Sequence, residues 1–169
     1  MCASVFSMTP RVIVGISDLA VTNSPSVVLS TYALGSCVGV VALAPKVRAA
    51  GLLHAMLPKM GTKANRQNTP LMFVDTGMQQ MLKELSSFGI SKSMLKIALI
   101  GGASVNSGGD FFEIGSNNVK ATKEFCRANG LRIAYEDTGG KVNRTVHLQL
   151  SDLNLQIKKP QKEESISLQ

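Results

Sequence analysis

Cys37 follows Leu34-Gly35-Ser36, a segment that reads as a tight turn, and it opens the apolar run Val38 to Leu43. A thiol at such a turn has backbone N–H groups beside it, from Ser36 and from Cys37 itself. Those groups are the donors that hold an oxyanion when sulfur attacks a carbonyl. The competing reading is a buried structural cysteine beside a glycine. His54 lies within Leu52-Leu53-His54-Ala55-Met56-Leu57. An imidazole in so apolar a run needs partners for its ring nitrogens. A backbone carbonyl would serve. So would a thiol, since a cysteine–histidine pair yields a reactive thiolate near neutral pH. Burial would lower the pKa of His54 and keep it neutral, able to act as a base. A triad needs a third group to orient the ring, yet no carboxylate lies between Asp18 and Asp75. The hydroxyls of Ser30 and Thr31 are the available acceptors, unless both merely line the polar face of a strand.

The remaining reactive side chains read as bland. Cys2 lies in a loose start, Cys126 on the apolar stripe of a helix, and His147 on the polar side of an alternating strand, which predicts exposure. Residues 101–109 follow a strand and are glycine-rich, but they lack the lysine and spacing of a phosphate-binding loop. Asp137-Thr138-Gly139-Gly140 reads as a turn. No CxxC pair or His/Cys cluster is present, so neither a metal site nor a cofactor is expected.

The elements that must position Cys37 and His54 follow from hydrophobic period. Arg11–Gly15, Val27–Ala33, Val38–Leu43, Gly51–Leu57, Leu95–Ile100, Leu131–Glu136 and Thr145–Leu150 read as strands. Leu153, Leu155 and Ile157 suggest a last one. Asp75–Phe88 and Asn118–Ala128 read as helices, the first capped by Asp75 or Thr76 and stopped by Gly89. Residues 58–70 read as a loop. About eight strands and two main helices predict an α+β fold, a layered α/β/β sandwich with a mixed β-sheet. The expected organisation is a loose N-terminus over 1–10, one domain over 11–157, and a polar flexible tail over 158–169. A symmetric hairpin through residues 44–50 would place His54 opposite Val40, leaving Cys37 about 10 Å away along the strand. An offset pairing, or a loop that folds back, would be needed to bring the two together.

The chain has 169 residues, with 18 Lys plus Arg against 11 Asp plus Glu, for a net charge of +7. That charge is compatible with anionic partners in general. Two Tyr, six Phe and no Trp leave little to stack on bases, so no nucleic-acid partner is expected. Residues 19–45 carry no charge but are too polar and interrupted to span a bilayer, so no membrane insertion is expected. An odd cysteine count and the absence of a signal-peptide pattern point to the cytoplasm.

Thr31-Tyr32-Ala33-Leu34-Gly35-Ser36-Cys37-Val38 and His54-Ala55-Met56-Leu57-Pro58 together resemble the T-x-x-L-G-S-C-V and H-x-M-L-P segments of the chemoreceptor glutamine deamidase family CheD. Val14–Asp18, Asp75-Thr76, Gly101-Gly102-Ala103, Ile114-Gly115 with Asn118, and Asp137–Gly140 with Arg144 are similar to further blocks of that family, in the same order. Asn117 departs from the pattern, which often has a basic residue there. The resemblance implies a cysteine hydrolase that converts receptor glutamine side chains to glutamate in chemotaxis. It assigns Cys37 as nucleophile, His54 as the histidine, Thr31 as third member, and Gly35 and Ser36 as loop support for the oxyanion. It further implies the cytoplasmic helices of methyl-accepting chemoreceptors as substrate, a CheC-like phosphatase as partner, and glutamate methylesterase activity by the same thiol chemistry. The alternative is a non-catalytic binding partner of such a phosphatase or receptor.

Overall fold

A computed structural model describes residues 9–61, 70–104 and 113–169. The described residues form ten strands: β1 (Arg11–Ile13), β2 (Asp18–Thr22), β3 (Val28–Leu34), β4 (Val38–Ala44), β5 (Ala49–Ala55), β6 (Lys96–Gly101), β7 (Arg132–Thr138), β8 (Arg144–Gln149), β9 (Asn154–Lys159) and β10 (Lys162–Ser167). Two α-helices, α1 (Val74–Ser87) and α2 (Ile114–Ala128), are inserted on either side of β6. The strands make two five-stranded sheets, ordered β1-β3-β8-β9-β10 and β2-β5-β4-β6-β7. Each sheet is mixed, with β1 parallel to β3 and β6 parallel to β7.

The layering follows from strands buried on both faces, which need no polar alternation. All seven residues of β4 are buried, and so are all seven of β5. Val38, Val40 and Ala42 face one way, with Leu53, against Val74, Met78, Met81 and Leu85 of α1 and Ala121 and Cys126 of α2. Val41, Leu43, Ala50 and Leu52 face the other way, against Leu29, Val146, Leu148, Leu155 and Ile157 of the first sheet. The result is the expected α/β/β sandwich, with β4 and β5 in the middle layer.

Several details differ from the sequence reading. β2 is an added edge strand, held by antiparallel pairing to β5. α1 has Phe73 as its N-cap, without a side-chain cap. Asp75 instead accepts hydrogen bonds from the Met60 and Thr76 N–H groups, tying the preceding segment down. α2 begins at Ile114, four residues before Asn118. The segment expected to be a flexible tail is folded: β10 pairs antiparallel with β9 from Lys162 to Ser167, and Leu168 is buried in the inter-sheet core. His147, expected to be exposed, is buried. Its Nδ1 lies 2.9 Å from Ser30 Oγ, and its ring meets Tyr32 edge-on at 5.5 Å. Residues 1–8, much of the 58–70 loop, and 105–109 lie outside the described residues.

Candidate active site

Register decides whether Cys37 and His54 can meet. The β4–β5 hairpin closes on Ala44↔Ala49 around a 3₁₀ turn, Pro45–Val47, with Arg48 in the left-handed region. That shorter turn sets Gly39, rather than Val40, opposite His54. Moving the register by one residue changes which face a side chain shares. With Gly39 opposite His54, the alternation that sends Val41 and Leu43 between the sheets carries Cys37 to that side as well, where it packs against the inter-sheet core. His54 is on the same side as Leu52. Cys37 thus sits just ahead of β4 on the same side of the sheet as His54, and no hydrogen bond joins its sulfur to His54 Nε2.

Thr31 comes from the opposing sheet. On β3 it shares the inward face with Leu29, and its Oγ1 sits 2.8 Å from His54 Nδ1. The same hydroxyl donates to the Val14 carbonyl at 2.8 Å. A hydroxyl has one proton, and a carbonyl only accepts. Thr31 therefore accepts from His54, and Nδ1 carries the ring hydrogen. Nε2 is left with its lone pair, and among the described residues this buried atom has no hydrogen-bond partner. Burial lowers the His54 pKa to about 4, so the ring is neutral at physiological pH. Burial pushes the Cys37 thiol above its ordinary value, with the Cys37 backbone N–H beside the sulfur acting in the opposite direction. Both shifts favour the uncharged forms, a thiol on Cys37 and, as burial of the apolar run predicts, an imidazole on His54.

The Cys37 loop is held from behind. Gly102 N–H donates to Cys37 O at 2.8 Å, and Ala103 N–H donates to Gly35 O at 2.8 Å. Gly101 has φ +106°, and a Cβ there would lie 2.3 Å from Cys37 O. The glycine-rich segment after β6 is thus a brace for the cysteine loop. A second brace was not evident as such in the sequence: Asn118 Nδ2 donates to Ser36 O at 2.9 Å and to Met56 O at 2.8 Å. Its signal was an asparagine on the same buried helix face as Gly115 and Thr122, where a polar group needs a partner. Asp137 and Arg144 also do more than make a turn. Arg144 donates to Gly139 O and Val142 O and pairs with Asp137 Oδ1 at 2.9 Å, while Lys159 pairs with Asp137 Oδ2 at 2.7 Å. This cluster ties β7 of one sheet to β8 and β9 of the other.

The family described as "CheD chemotactic sensory transduction" matches residues 56–159. The "Probable chemoreceptor glutamine deamidase CheD" of Pyrococcus abyssi is 41% identical over 154 residues, which cover 90% of this chain and 93% of that protein. The chain belongs to the CheD family. The CheD relative from Pyrococcus horikoshii is 42% identical, over 86% of this chain and 90% of its own length. "CheD 1" of Syntrophus aciditrophicus is 41% identical, over 82% and 88%. The CheD match begins at Met56, and the relative from P. abyssi extends the likeness over most of the chain. Among the described residues no helix is long and apolar enough to cross a membrane.

Proposed function

We propose that this chain is a protein-glutamine deamidase of bacterial-type chemotaxis, acting in the cytoplasm on chemoreceptor helices, with Cys37 as nucleophile, His54 as general base and acid, and Thr31 as the group that orients the ring. The observation that carries the reading is the one-way hydrogen bonding of Thr31. It assigns the Nδ1 hydrogen and leaves the Nε2 lone pair of His54 on the side of the sheet that Cys37 shares. The names of the family relatives supply the substrate class.

The chemistry balances with these side chains alone. As Cys37 sulfur attacks the carboxamide carbon of a glutamine side chain, His54 Nε2 takes the thiol proton. The oxyanion accepts hydrogen bonds from the N–H groups of Cys37 and Ser36, with Gly35 giving the loop its turn. His54 returns the proton to the departing nitrogen, ammonia leaves, and a thioester remains. Water then attacks the thioester carbon, and His54 takes a proton from it. The intermediate expels sulfur, which is reprotonated, and glutamate is released. A glutamyl methyl ester would enter the same thioester by losing methanol, which is the basis for a methylesterase activity. Regulation by a CheC-like phosphatase rests on the family resemblance.

Receptor cytoplasmic fragments incubated with wild type and with Cys37→Ala, followed by mass spectrometry and ammonia assay, test the reading. Wild type is expected to add about 1 Da per converted glutamine and release equal ammonia; Cys37→Ala is expected to do neither while still binding. Binding without conversion by wild type would favour the non-catalytic alternative. Methanol release from methylated fragments would establish the esterase.

A further inference from the structure

We propose that Asn118 is a positioning residue that sets the spacing between the Cys37 loop and the strand carrying His54. The inference rests on the deamidase reading for its catalytic consequence, but its geometry stands independently.

Nucleophile and base arrive on different segments of β-structure, and nothing in the β4–β5 ladder beyond Val38↔Ala55 ties their ends together. Asn118 spans that gap. Ser36 immediately precedes Cys37, and Met56 lies two residues beyond His54. One carboxamide nitrogen bonds to both carbonyls. Both neighbours are carbonyl oxygens, which only accept, so the atom facing them must be the NH₂. Its two hydrogens are matched to two acceptors. The Asn118 side chain is buried, and among the described residues its Oδ1 has no hydrogen-bond partner. The protein contacts of this amide group are therefore spent on the two site segments.

The helix that carries Asn118 is itself seated on the brace behind Cys37. A Cβ at Gly115 would lie 2.6 Å from Gly102 O and 2.7 Å from Ala103 O, so only glycine lets the first turn of α2 approach that closely. Gly102 and Ala103 in turn hold Cys37 O and Gly35 O. Thr122 Oγ1 donates to Asn118 O at 2.9 Å, one turn along the helix. The first turn of α2 is thus registered against the cysteine loop by backbone packing, and Asn118 transmits that register to the histidine strand. A misplacement of about 1 Å between reacting groups can cost ~10²-fold in rate.

Three variants separate the roles. Asn118→Asp keeps the volume, removes both donors and sets carboxylate oxygens against two carbonyls. Asn118→Ala removes the strut. Asn118→Gln keeps the NH₂ on a longer arm. Two readouts are taken on protein whose folded fraction is measured by urea titration: kcat and KM for receptor-fragment deamidation, and the pH profile of Cys37 alkylation by iodoacetamide, followed on the Cys37 peptide by mass spectrometry. Asn118→Asp and Asn118→Ala are expected to lower kcat by about 10²-fold with KM within about twofold. They are also expected to move the alkylation profile toward that of an ordinary exposed thiol. Asn118→Gln is expected to recover part of both. If Asn118→Ala and Asn118→Asp do not fold, Asn118→Gln alone decides, with an expected loss in kcat of about tenfold. Wild-type kcat and an unchanged alkylation profile in a folded variant would overturn the proposal. Absence of deamidation by wild type would instead sink the functional reading, leaving the alkylation arm to judge the strut.

Discussion

A threonine hydroxyl has a single proton, and in Thr31 that proton is committed to Val14 O. The consequence passes to His54, whose Nδ1 must donate and whose Nε2 must accept. A carboxylate in that place would fix the same tautomer and also stabilise an imidazolium. A hydroxyl fixes the tautomer and adds no charge, which fits a ring whose pKa burial has lowered to about 4. Thr31→Val keeps the shape and loses the acceptor. Its kcat/KM for ammonia release is expected to fall by about 10²-fold, and Thr31→Ser is expected to stay much closer to wild type. The depressed pKa also sets the acid side of the pH profile. His54 is neutral, and so competent as a base, at every pH above its folded value. The acid limb of kcat/KM is therefore expected near 4 and not at the ordinary 6.5, as measured by initial rates across that interval. On the alkaline side, Cys37 alkylation rises only as the raised thiol ionises.

Elements succeed or fail here by pairing. β4 and β5 were legible because strands buried on both faces show as apolar runs. β2 and β10 were not, for a common reason: each is an edge strand whose identity comes from its neighbour. β10 reads Lys162-Glu163-Glu164-Ser165-Ile166-Ser167, a poor strand by composition, and it forms because β9 offers a ladder and the core offers a place for Ile166 and Leu168. Truncation after Lys159 is expected to reduce stability by about 2–4 kcal/mol, from the lost burial of those two side chains. Urea unfolding measures it, and an unchanged midpoint would mean the segment contributes nothing. The same logic explains His147. Alternation correctly placed it on the outer face of the sheet, but Ser30 and Tyr32 cover it there, and coverage depends on which strands lie alongside.

Across the molecule, the proposed triad draws on both sheets, with Thr31 in one and Cys37 and His54 in the other. The cluster of Asp137, Arg144 and Lys159 ties those sheets together, and Arg144 pairs in register with Leu34 at the start of the cysteine loop. Residue type and order along the chain were enough for the layer architecture, the two helices and the family, because apolar periodicity and short motifs are local properties. They also marked Cys37, His54 and Thr31 as candidates. Whether those three could converge was not a local property. The β3–β5 packing bonds Thr31 to His54, the one-residue offset of the β4–β5 hairpin puts Cys37 on the same side of the sheet, and a helix side chain bonds to the two segments that carry Cys37 and His54. Side-chain facing reverses with each residue of register, and contacts between sheets exist only once both have formed. Those relations belong to the folded chain.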